Sequence, residues 1–250
     1  MVGISSCASP FMFRYYSKSQ TRKLDVGHPI CYTENVELYH VCNRGVEKRT
    51  VFLDDSDRLR FIHDLFAFND IDSAANYLQP GRHTEHSRDF LVHLHAYVLM
   101  TNHYHLLVSE AVESGISLFI KKLNGGYAKY FNERYRRSGS LWQGKYRRIH
   151  VNRDAHFLYI PHYIHLNPLD LTHPEWRSGK VKNVSGAISA LQKYRWSSHL
   201  DYTGYKNFPS VISMNLLRDV FGSPERYVKE LRSVIASPSA ASASHIIEIR

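Results

Sequence analysis

The chain has few cysteines and no long apolar run, and both absences narrow what it can be. Its 250 residues include three cysteines, Cys7, Cys31 and Cys42, an odd number without a C-x-x-C pair, which excludes a disulfide framework and a cysteine zinc knuckle. No stretch is apolar over the length needed to cross a bilayer. The N-terminus lacks the charged start, apolar block and cleavage site of a signal peptide. We therefore expect a reducing, cytoplasmic location and no membrane partner.

Acidic residues are in the minority. Lys and Arg together number 32 against 23 Asp and Glu, which gives a formal net charge of +9 and a sequence pI near 9.4. A balance of this kind points to a polyanionic partner, usually nucleic acid. The 17 Tyr and 12 Phe residues include side chains suited to stacking on unpaired bases, although most aromatics of a globular protein lie in its core.

The pattern of elements predicts an α+β fold. The predicted strands cover 35–45, 90–100, 101–110 and 144–151, and the predicted helices cover 53–68, 114–137 and 155–167. This order is typical of a ferredoxin-like antiparallel sheet with helices packed on one face. In the first helix the apolar stripe is predicted at Leu59, Ile62, Leu65 and Phe66, and Gly125-Gly126 in the second predicts a close approach to another element.

Four regions are expected along the chain. They are an N-terminal extension over 1–34, a main domain over 35–176, a C-terminal helical region over 177–236, and a flexible, low-complexity tail over 237–250.

Two histidines mark the second strand of the predicted hairpin. His103 and His105 lie two residues apart, so in a strand they project from the same face and are able to share one divalent cation. An isolated H-x-H is more often two ordinary histidines, and His93 and His95 on the partner strand have the same spacing. A third feature is needed to choose between these readings.

The third feature is a tyrosine four residues before an asparagine. Tyr163 and Asn167 would share one face of a helix, about 6 Å apart along the axis. Asn167 offers an amide oxygen as a third metal ligand, and Tyr163 would stand beside the metal as a nucleophile for a phosphodiester. The alternative is that Tyr163 packs in the core and Asn167 caps the helix before Pro168.

Several blocks of sequence, in this order and spacing, resemble the REP-associated tyrosine transposases, a branch of the single-tyrosine HUH (IS200-like) transposases of bacteria. The resemblance extends from about residue 36 to about residue 230. The blocks are "HVCNRGVEKRTVF", "AYVLMTNHYHLLV", "LNGGYAKYFNERYRRSGSLWQGKYRRIHV", "YIHLNP" and "YRWSSHLDYTG".

The resemblance implies a function and assigns residues to it. His103 and His105 match the HUH pair, Tyr163 matches the nucleophilic tyrosine, and Asn167 matches the amide residue that completes the metal site. The family has a ferredoxin-like fold, cuts and joins single-stranded DNA near hairpins, and uses Mg or Mn without a nucleotide cofactor. It includes both monomers and homodimers that share active sites, and the expected location of this chain is the bacterial cytoplasm, in association with the nucleoid.

The chain departs from the family pattern at two positions. Thr101 stands where proline is common, and it still suits the turn of the hairpin. Pro161 lies inside the predicted catalytic helix, where it removes a backbone donor, so we expect that helix to kink there or to restart with Pro161 in its first turn.

Basic residues flank these motifs, and as a group they are predicted to neutralise DNA phosphates. They are Arg44, Lys48, Arg49, Lys121, Lys122, Lys129, Arg134, Arg136, Arg137, Lys145, Arg147 and Arg148. Two other functions remain open from the sequence: a nucleic-acid-binding protein of this fold that does not cut, and a metal-dependent phosphoesterase that uses water.

Overall fold

The computed structural model describes residues 36–72, 88–151 and 154–236. The predicted extension over 1–34 and the predicted tail over 237–250 lie outside these residues, as do Cys7 and Cys31.

The fold is α+β, as predicted. The strands are β1 (Leu38–Arg44), β2 (Val92–Leu99), β3 (His103–Glu110) and β4 (Arg147–His150). The first three helices are α1 (Asp55–Ala67), α2 (Gly115–Arg134) and α3 (Asp154–Leu166). The strands form one four-stranded sheet in the order β2-β3-β1-β4, and every neighbouring pair is antiparallel. With α1 after β1 and α2 after β3, this is the ferredoxin-like arrangement.

The two faces of the sheet are covered by different helices. Tyr104 and His105 are consecutive residues of β3, so their side chains point to opposite faces. The Tyr104 ring lies 5.1 Å from Phe61 of α1, and its hydroxyl donates to Asn124 of α2. The His105 ring lies 5.7 Å from Tyr163 of α3. Helices on one face are therefore confirmed for α1 and α2, while α3 covers the other face.

The buried stripe of α1 differs from the predicted one. Asp54 caps the helix by accepting from the Asp57 backbone N–H at 3.0 Å. Phe61 and Leu65 are buried, but Leu59 and Phe66 are 45% and 36% exposed, so the prediction is wrong for these two. The reason is that α1 also buries Asp57, whose carboxylate receives the Arg134 guanidinium at 2.8 Å. A stripe that contains a paired acid cannot be located from apolar spacing alone.

The two adjacent glycines of α2 predict opposite effects on stability. A Cβ at Gly125 would meet nothing within 4 Å, whereas a Cβ at Gly126 would collide with the Phe68 ring. We expect Gly125→Ala to raise the free energy of unfolding by about 1 kcal/mol through helix propensity, and Gly126→Ala to lower it by about 1–3 kcal/mol through overpacking. Urea unfolding of the two variants is the measurement. Equal effects would contradict the close approach of α1 and α2.

Within the described residues the α-helices after α3 are α4 (Val184–Lys193), α5 (His199–Tyr202), α6 (Asn215–Phe221) and α7 (Pro224–Ala236). This region is bonded to β2, since the Leu99 N–H donates to the Trp196 carbonyl at 2.9 Å and the Tyr202 hydroxyl donates to the His95 carbonyl at 2.7 Å. The predicted boundary at residue 177, between the main domain and the C-terminal helical region, stays a prediction. Among the helices described, none combines the length and apolarity of a membrane span.

Candidate functional site

The histidine pair lies on the face of β3 that α3 covers. The ring centroids of His103 and His105 are 5.0 Å apart. His105 is 1% exposed, while His103 is half-buried. Burial lowers the pKa of His103 to about 3, helped by the charges of Arg44 and Arg177, and burial also holds the pKa of His105 well below its usual value. Both rings are therefore neutral at pH 7, the state in which imidazole binds a cation.

The hydrogen bonds around His103 define its tautomer. The Asn102 side-chain amide donates to the Lys48 carbonyl at 3.0 Å, so the Asn102 oxygen faces His103 Nδ1 at 2.6 Å. An oxygen acceptor requires Nδ1 to carry the hydrogen, and a neutral ring then has its lone pair on Nε2. This is the arrangement of a metal-binding histidine whose other nitrogen is held by an outer hydrogen bond.

His105 is held from the neighbouring strand. His40 of β1 places Nε2 at 2.8 Å from His105 Nδ1, and the two rings stack with their centroids 5.0 Å apart. When His105 Nδ1 donates in this bond, its Nε2 has the free lone pair that a metal ligand needs. His40 lies on the same face of β1 as Cys42, as the alternation of the strand indicates, but no role for it follows from the sequence.

The competing pair on β2 does not have this character. Both ring nitrogens of His95 are engaged, Nε2 with the Ser109 hydroxyl at 2.9 Å and Nδ1 with the Ser213 carbonyl at 3.2 Å. The β2–β3 pairing is also irregular between Leu94 and Ala96. His95 therefore holds β2 against β3 and the C-terminal region. This favours His103 and His105 as the pair that could bind a metal.

The helix α3 brings Tyr163 to the histidines. Pro161 lies within α3, which begins at Asp154, so a restart at Pro161 is wrong and a kink stays a prediction. The Tyr163 ring stands edge-on to His105 at 5.7 Å and to His40 at 6.1 Å. Tyr163 is 1% exposed. Burial raises the pKa of its phenol, while the charge and hydrogen bonding of Arg177 oppose this rise.

Asn167 is tied to Tyr163 through the backbone. Its side-chain nitrogen donates to the Tyr163 carbonyl at 2.7 Å, which is the bond expected of an asparagine that ends a helix. Its side-chain oxygen accepts from Arg177 at 3.2 Å. An amide oxygen has two lone pairs, so one remains for a cation. The structure thus supports the packing and capping roles for these residues and leaves their proposed catalytic roles chemically open.

Arg177 is a site residue that the sequence analysis missed. Its guanidinium lies 5.4 Å from the Tyr163 ring centroid and 4.7 Å from that of Trp176. Asp170 holds it through two contacts, at 2.9 Å to Nε and 2.6 Å to Nη2. The Arg177 side chain is 25% exposed, so its positive charge lies beside the buried phenol and is still accessible from solvent. Arg177 lies ten residues beyond Asn167 in a 3₁₀ helix, Pro174–Ser178, where no periodic pattern identifies it.

Two overlapping sets of side chains are suited to a metal. The predicted set, His103, His105 and Asn167, would combine two imidazoles from β3 with the amide oxygen of the residue that follows α3. A second group contains His40, Cys42 and His105, whose ligand atoms all lie within 4.8 Å of one another. The chemistry of the donors fits a hard divalent ion better at the first set, because it includes oxygen, and a thiophilic ion at the second.

The predicted basic residues divide between the two faces. Arg44 pairs with His103 across β1 and β3, and Arg147 pairs with Cys42 across β4 and β1, so both belong to the Tyr163 face. Lys121, Lys122 and Lys129 belong to α2, which covers the other face. Lys122 donates to the Ile71 carbonyl at 3.1 Å and to the Asp72 carbonyl at 2.8 Å, and Lys129 pairs with Glu133 at 3.9 Å. Arg44 and Arg147, together with Arg177, therefore place positive charge on the Tyr163 face.

Comparison with known proteins shows what part of this chain is similar to. The family model described as "Transposase IS200 like" matches residues 82–167, a segment that includes His103, His105, Tyr163 and Asn167. No curated protein matches the chain. A solved structure of a REP-associated tyrosine transposase bound to a REP hairpin is 11% identical, with a TM-score of 0.40, and the match covers 82% of this chain and 93% of that one. The family model thus covers the segment that contains both predicted motifs, and it is the same IS200-like family that the sequence blocks resemble.

Proposed function

We propose that the protein cleaves and rejoins single-stranded DNA near hairpins, with Tyr163 as the nucleophile. The observation that carries this proposal is the contact of Tyr163 on α3 with His105 on β3, at 5.7 Å between ring centroids. Attack of the phenolic oxygen on phosphorus would form a 5′-phosphotyrosine bond and release a free 3′-hydroxyl. One phosphodiester replaces another, so the reverse reaction rejoins strands without an external energy source.

The chain's own residues would prepare this reaction in three ways. Asn167 anchors α3 at its C-terminal end through the Tyr163 carbonyl. Arg177 places a positive charge over the phenol, where it would offset the charge of the phosphate and of the phenolate. His103, His105 and Asn167 would hold Mg or Mn. A bound divalent ion would supply Lewis-acid polarisation of the scissile phosphate.

Both key groups come from one chain. Tyr163 and His105 of the same protomer are in contact, so a single protomer contains the proposed nucleophile and the proposed metal ligands. This supports a monomer with a complete site over a homodimer that exchanges its catalytic helices. Association with cytoplasmic DNA, at the nucleoid, belongs to the same proposal.

A second function is favoured by one specific observation. Tyr163 is 1% exposed, with Trp176 at 6.1 Å and Tyr159 at 6.2 Å between ring centroids. A protein that binds hairpin DNA through its basic surface without cutting it would keep this phenol permanently enclosed. Cleavage requires that DNA binding uncover it.

One experiment separates these functions. The full chain is incubated with a single-stranded hairpin oligonucleotide and Mn²⁺, then denatured and resolved by gel. The proposed function predicts a protein–DNA adduct that survives denaturation and is lost with a chelator. Salt-sensitive binding without adduct or cleavage would support the non-cutting protein, and cleavage without adduct would support hydrolysis by water.

The arginines of the Tyr163 face, Arg44, Arg147 and Arg177, predict that DNA binding weakens as the salt concentration rises. We expect Arg147→Gln to lower the slope of log K against log salt by about 1, since one phosphate contact is lost. Lys129→Gln on α2 is the matched control, because it removes the same charge on the other face of the sheet. Fluorescence anisotropy across a salt series is the measurement. A larger effect of Lys129→Gln would place the DNA on the α1–α2 face.

Arg177 predicts a loss of cleavage with DNA binding largely kept. We expect Arg177→Gln to slow adduct formation about a hundredfold, the usual consequence of removing one preorganised charge from a transition state. Arg177→Lys should be intermediate, since lysine keeps the charge but not the fork that Asp170 holds. Single-turnover adduct formation with saturating enzyme is the measurement. Unchanged rates in Arg177→Gln would exclude Arg177 from the reaction.

A further inference from the structure

A second donor set lies beneath the proposed catalytic pair. His40 and Cys42 are two residues apart on β1, and Cys42 stands directly opposite His105 in the β1–β3 register. One ligand atom from each of the three side chains lies within 4.8 Å of the other two. They are 0%, 1% and 1% exposed. The sheet thus brings two imidazoles and a thiol together on one buried face.

The donors determine which ions fit. Two nitrogens and one sulfur suit zinc and cobalt, whereas Mg and Mn prefer oxygen. In a tetrahedral zinc site the neighbouring donor atoms are about 3.3–3.6 Å apart, given Zn–N and Zn–S bonds of about 2.0–2.3 Å. The His40 Nε2 to His105 Nδ1 distance of 2.8 Å has to open by about half an ångström to reach this spacing.

We propose that His40, Cys42 and His105 form a binding site for a thiophilic divalent cation, zinc, distinct from the proposed Mg or Mn site at His103, His105 and Asn167. Zinc would replace the hydrogen bond between the two imidazoles and release the thiol proton to solvent. Three protein ligands leave the fourth position to water.

The site has a consequence for the reaction, which rests on the proposed function. Zinc bound at His105 Nδ1 would leave the hydrogen of the neutral ring on Nε2, and that nitrogen could then no longer bind the proposed Mg or Mn ion. The Tyr163 ring is edge-on to both imidazoles, so this zinc would bind beside the proposed nucleophile. Zinc is therefore an inhibitor of strand cleavage that acts through Cys42.

Cobalt is the probe for binding, because a cysteine thiolate bound to Co²⁺ gives a charge-transfer band in the near ultraviolet. Titration of the full chain should produce this band, and zinc should abolish it. Cys42→Ser should lose the band and weaken zinc affinity about tenfold or more, a cautious figure for a ligand since outer-shell changes alone cost this much. His103→Ala should keep the band, since His103 belongs only to the other set.

Three results overturn the site. They are no band in the folded wild-type chain, a band that persists in Cys42→Ser, and a band that depends on His103. Cys42→Ala is a second variant for the case in which serine disturbs the core, and circular dichroism with thermal unfolding shows that each variant is folded. A band retained by both Cys42 variants would locate the thiolate at Cys7 or Cys31 instead.

Inhibition by zinc is measured in a separate assay, so a failure of the inhibition can be distinguished from a failure of zinc binding. Zinc added to Mn²⁺-dependent adduct formation should inhibit the wild type at least about tenfold more strongly than Cys42→Ser, in proportion to the loss of affinity. Equal inhibition of both proteins would overturn the regulatory consequence and leave the cobalt result standing. An absence of any adduct in the wild type would contradict the proposed function, and the cobalt titration would still decide the site.

Discussion

Replacement of Tyr163 by phenylalanine is expected to abolish covalent attachment to DNA. The change removes one oxygen from a ring that is 1% exposed and leaves its packing against His40, His105 and Trp176 unchanged. Loss of a nucleophile commonly costs roughly 10⁴-fold or more in rate, so the adduct should fall below detection. Hairpin binding should persist, because the basic residues are unaltered. Gel analysis of the denatured reaction and anisotropy of the native complex measure the two properties.

Tyr159→Phe is the matched control. Its ring lies 6.2 Å from that of Tyr163 on the same helix, and burial raises the pKa of its phenol as well. This variant should form adduct at close to the wild-type rate. An undiminished adduct in Tyr163→Phe would assign the nucleophile elsewhere. Cleavage that continues in Tyr163→Phe without adduct would indicate that water attacks the phosphate.

The second large effect is expected from His103→Ala. The Nε2 lone pair of His103 is presented by the hydrogen bond of Nδ1 to Asn102, so its removal takes one ligand from the proposed Mg or Mn site. A Lewis-acid metal contributes several kcal/mol to catalysis, and we expect adduct formation to fall by roughly a hundredfold or more. The ring is half-buried, so the fold should tolerate its loss better than that of His105, which is enclosed against His40.

His93→Ala provides the control within the chain. His93 belongs to the other H-x-H pair and is exposed on β2, so its loss should leave cleavage and metal dependence unchanged. Mn²⁺ titration of cleavage in both variants is the measurement, with the apparent metal affinity reduced only in His103→Ala. A larger effect of His93→Ala would transfer the metal site to the β2 pair.

The sequence was informative where local periodicity determines structure. Alternation of polar and apolar residues located β1, β2 and β3 within a few residues, and the element order gave the ferredoxin-like topology. The same alternation placed His103 and His105 on one face, because residues two apart in a strand point the same way. The four-residue spacing predicted Tyr163 and Asn167 as neighbours, and the hydrogen bond between them follows from one helical turn.

Contacts between elements were beyond such patterns. The register of β1 against β3 places Cys42 opposite His105, and nothing within either strand specifies that pairing. Arg177 depends on the course of an irregular segment between Leu166 and Gly179, whose path is determined by tertiary packing. The burial of Tyr163 depends likewise on Trp176 and on the approach of α3 to the sheet. For these reasons the sequence predicted the histidine pair and the Tyr163–Asn167 spacing. It did not predict the charge of Arg177 beside them or the second donor set formed by His40, Cys42 and His105.

The most direct test of the central claim is to identify the atom that carries the DNA. The adduct formed by the full chain with a hairpin oligonucleotide and Mn²⁺ is digested with nuclease and protease, and the modified peptide is sequenced by tandem mass spectrometry. We predict a nucleotide 5′-phosphate on the peptide that contains Tyr163, with the modification on that tyrosine. A modification on any other side chain, or cleaved DNA without a modified peptide, would contradict Tyr163 as the nucleophile.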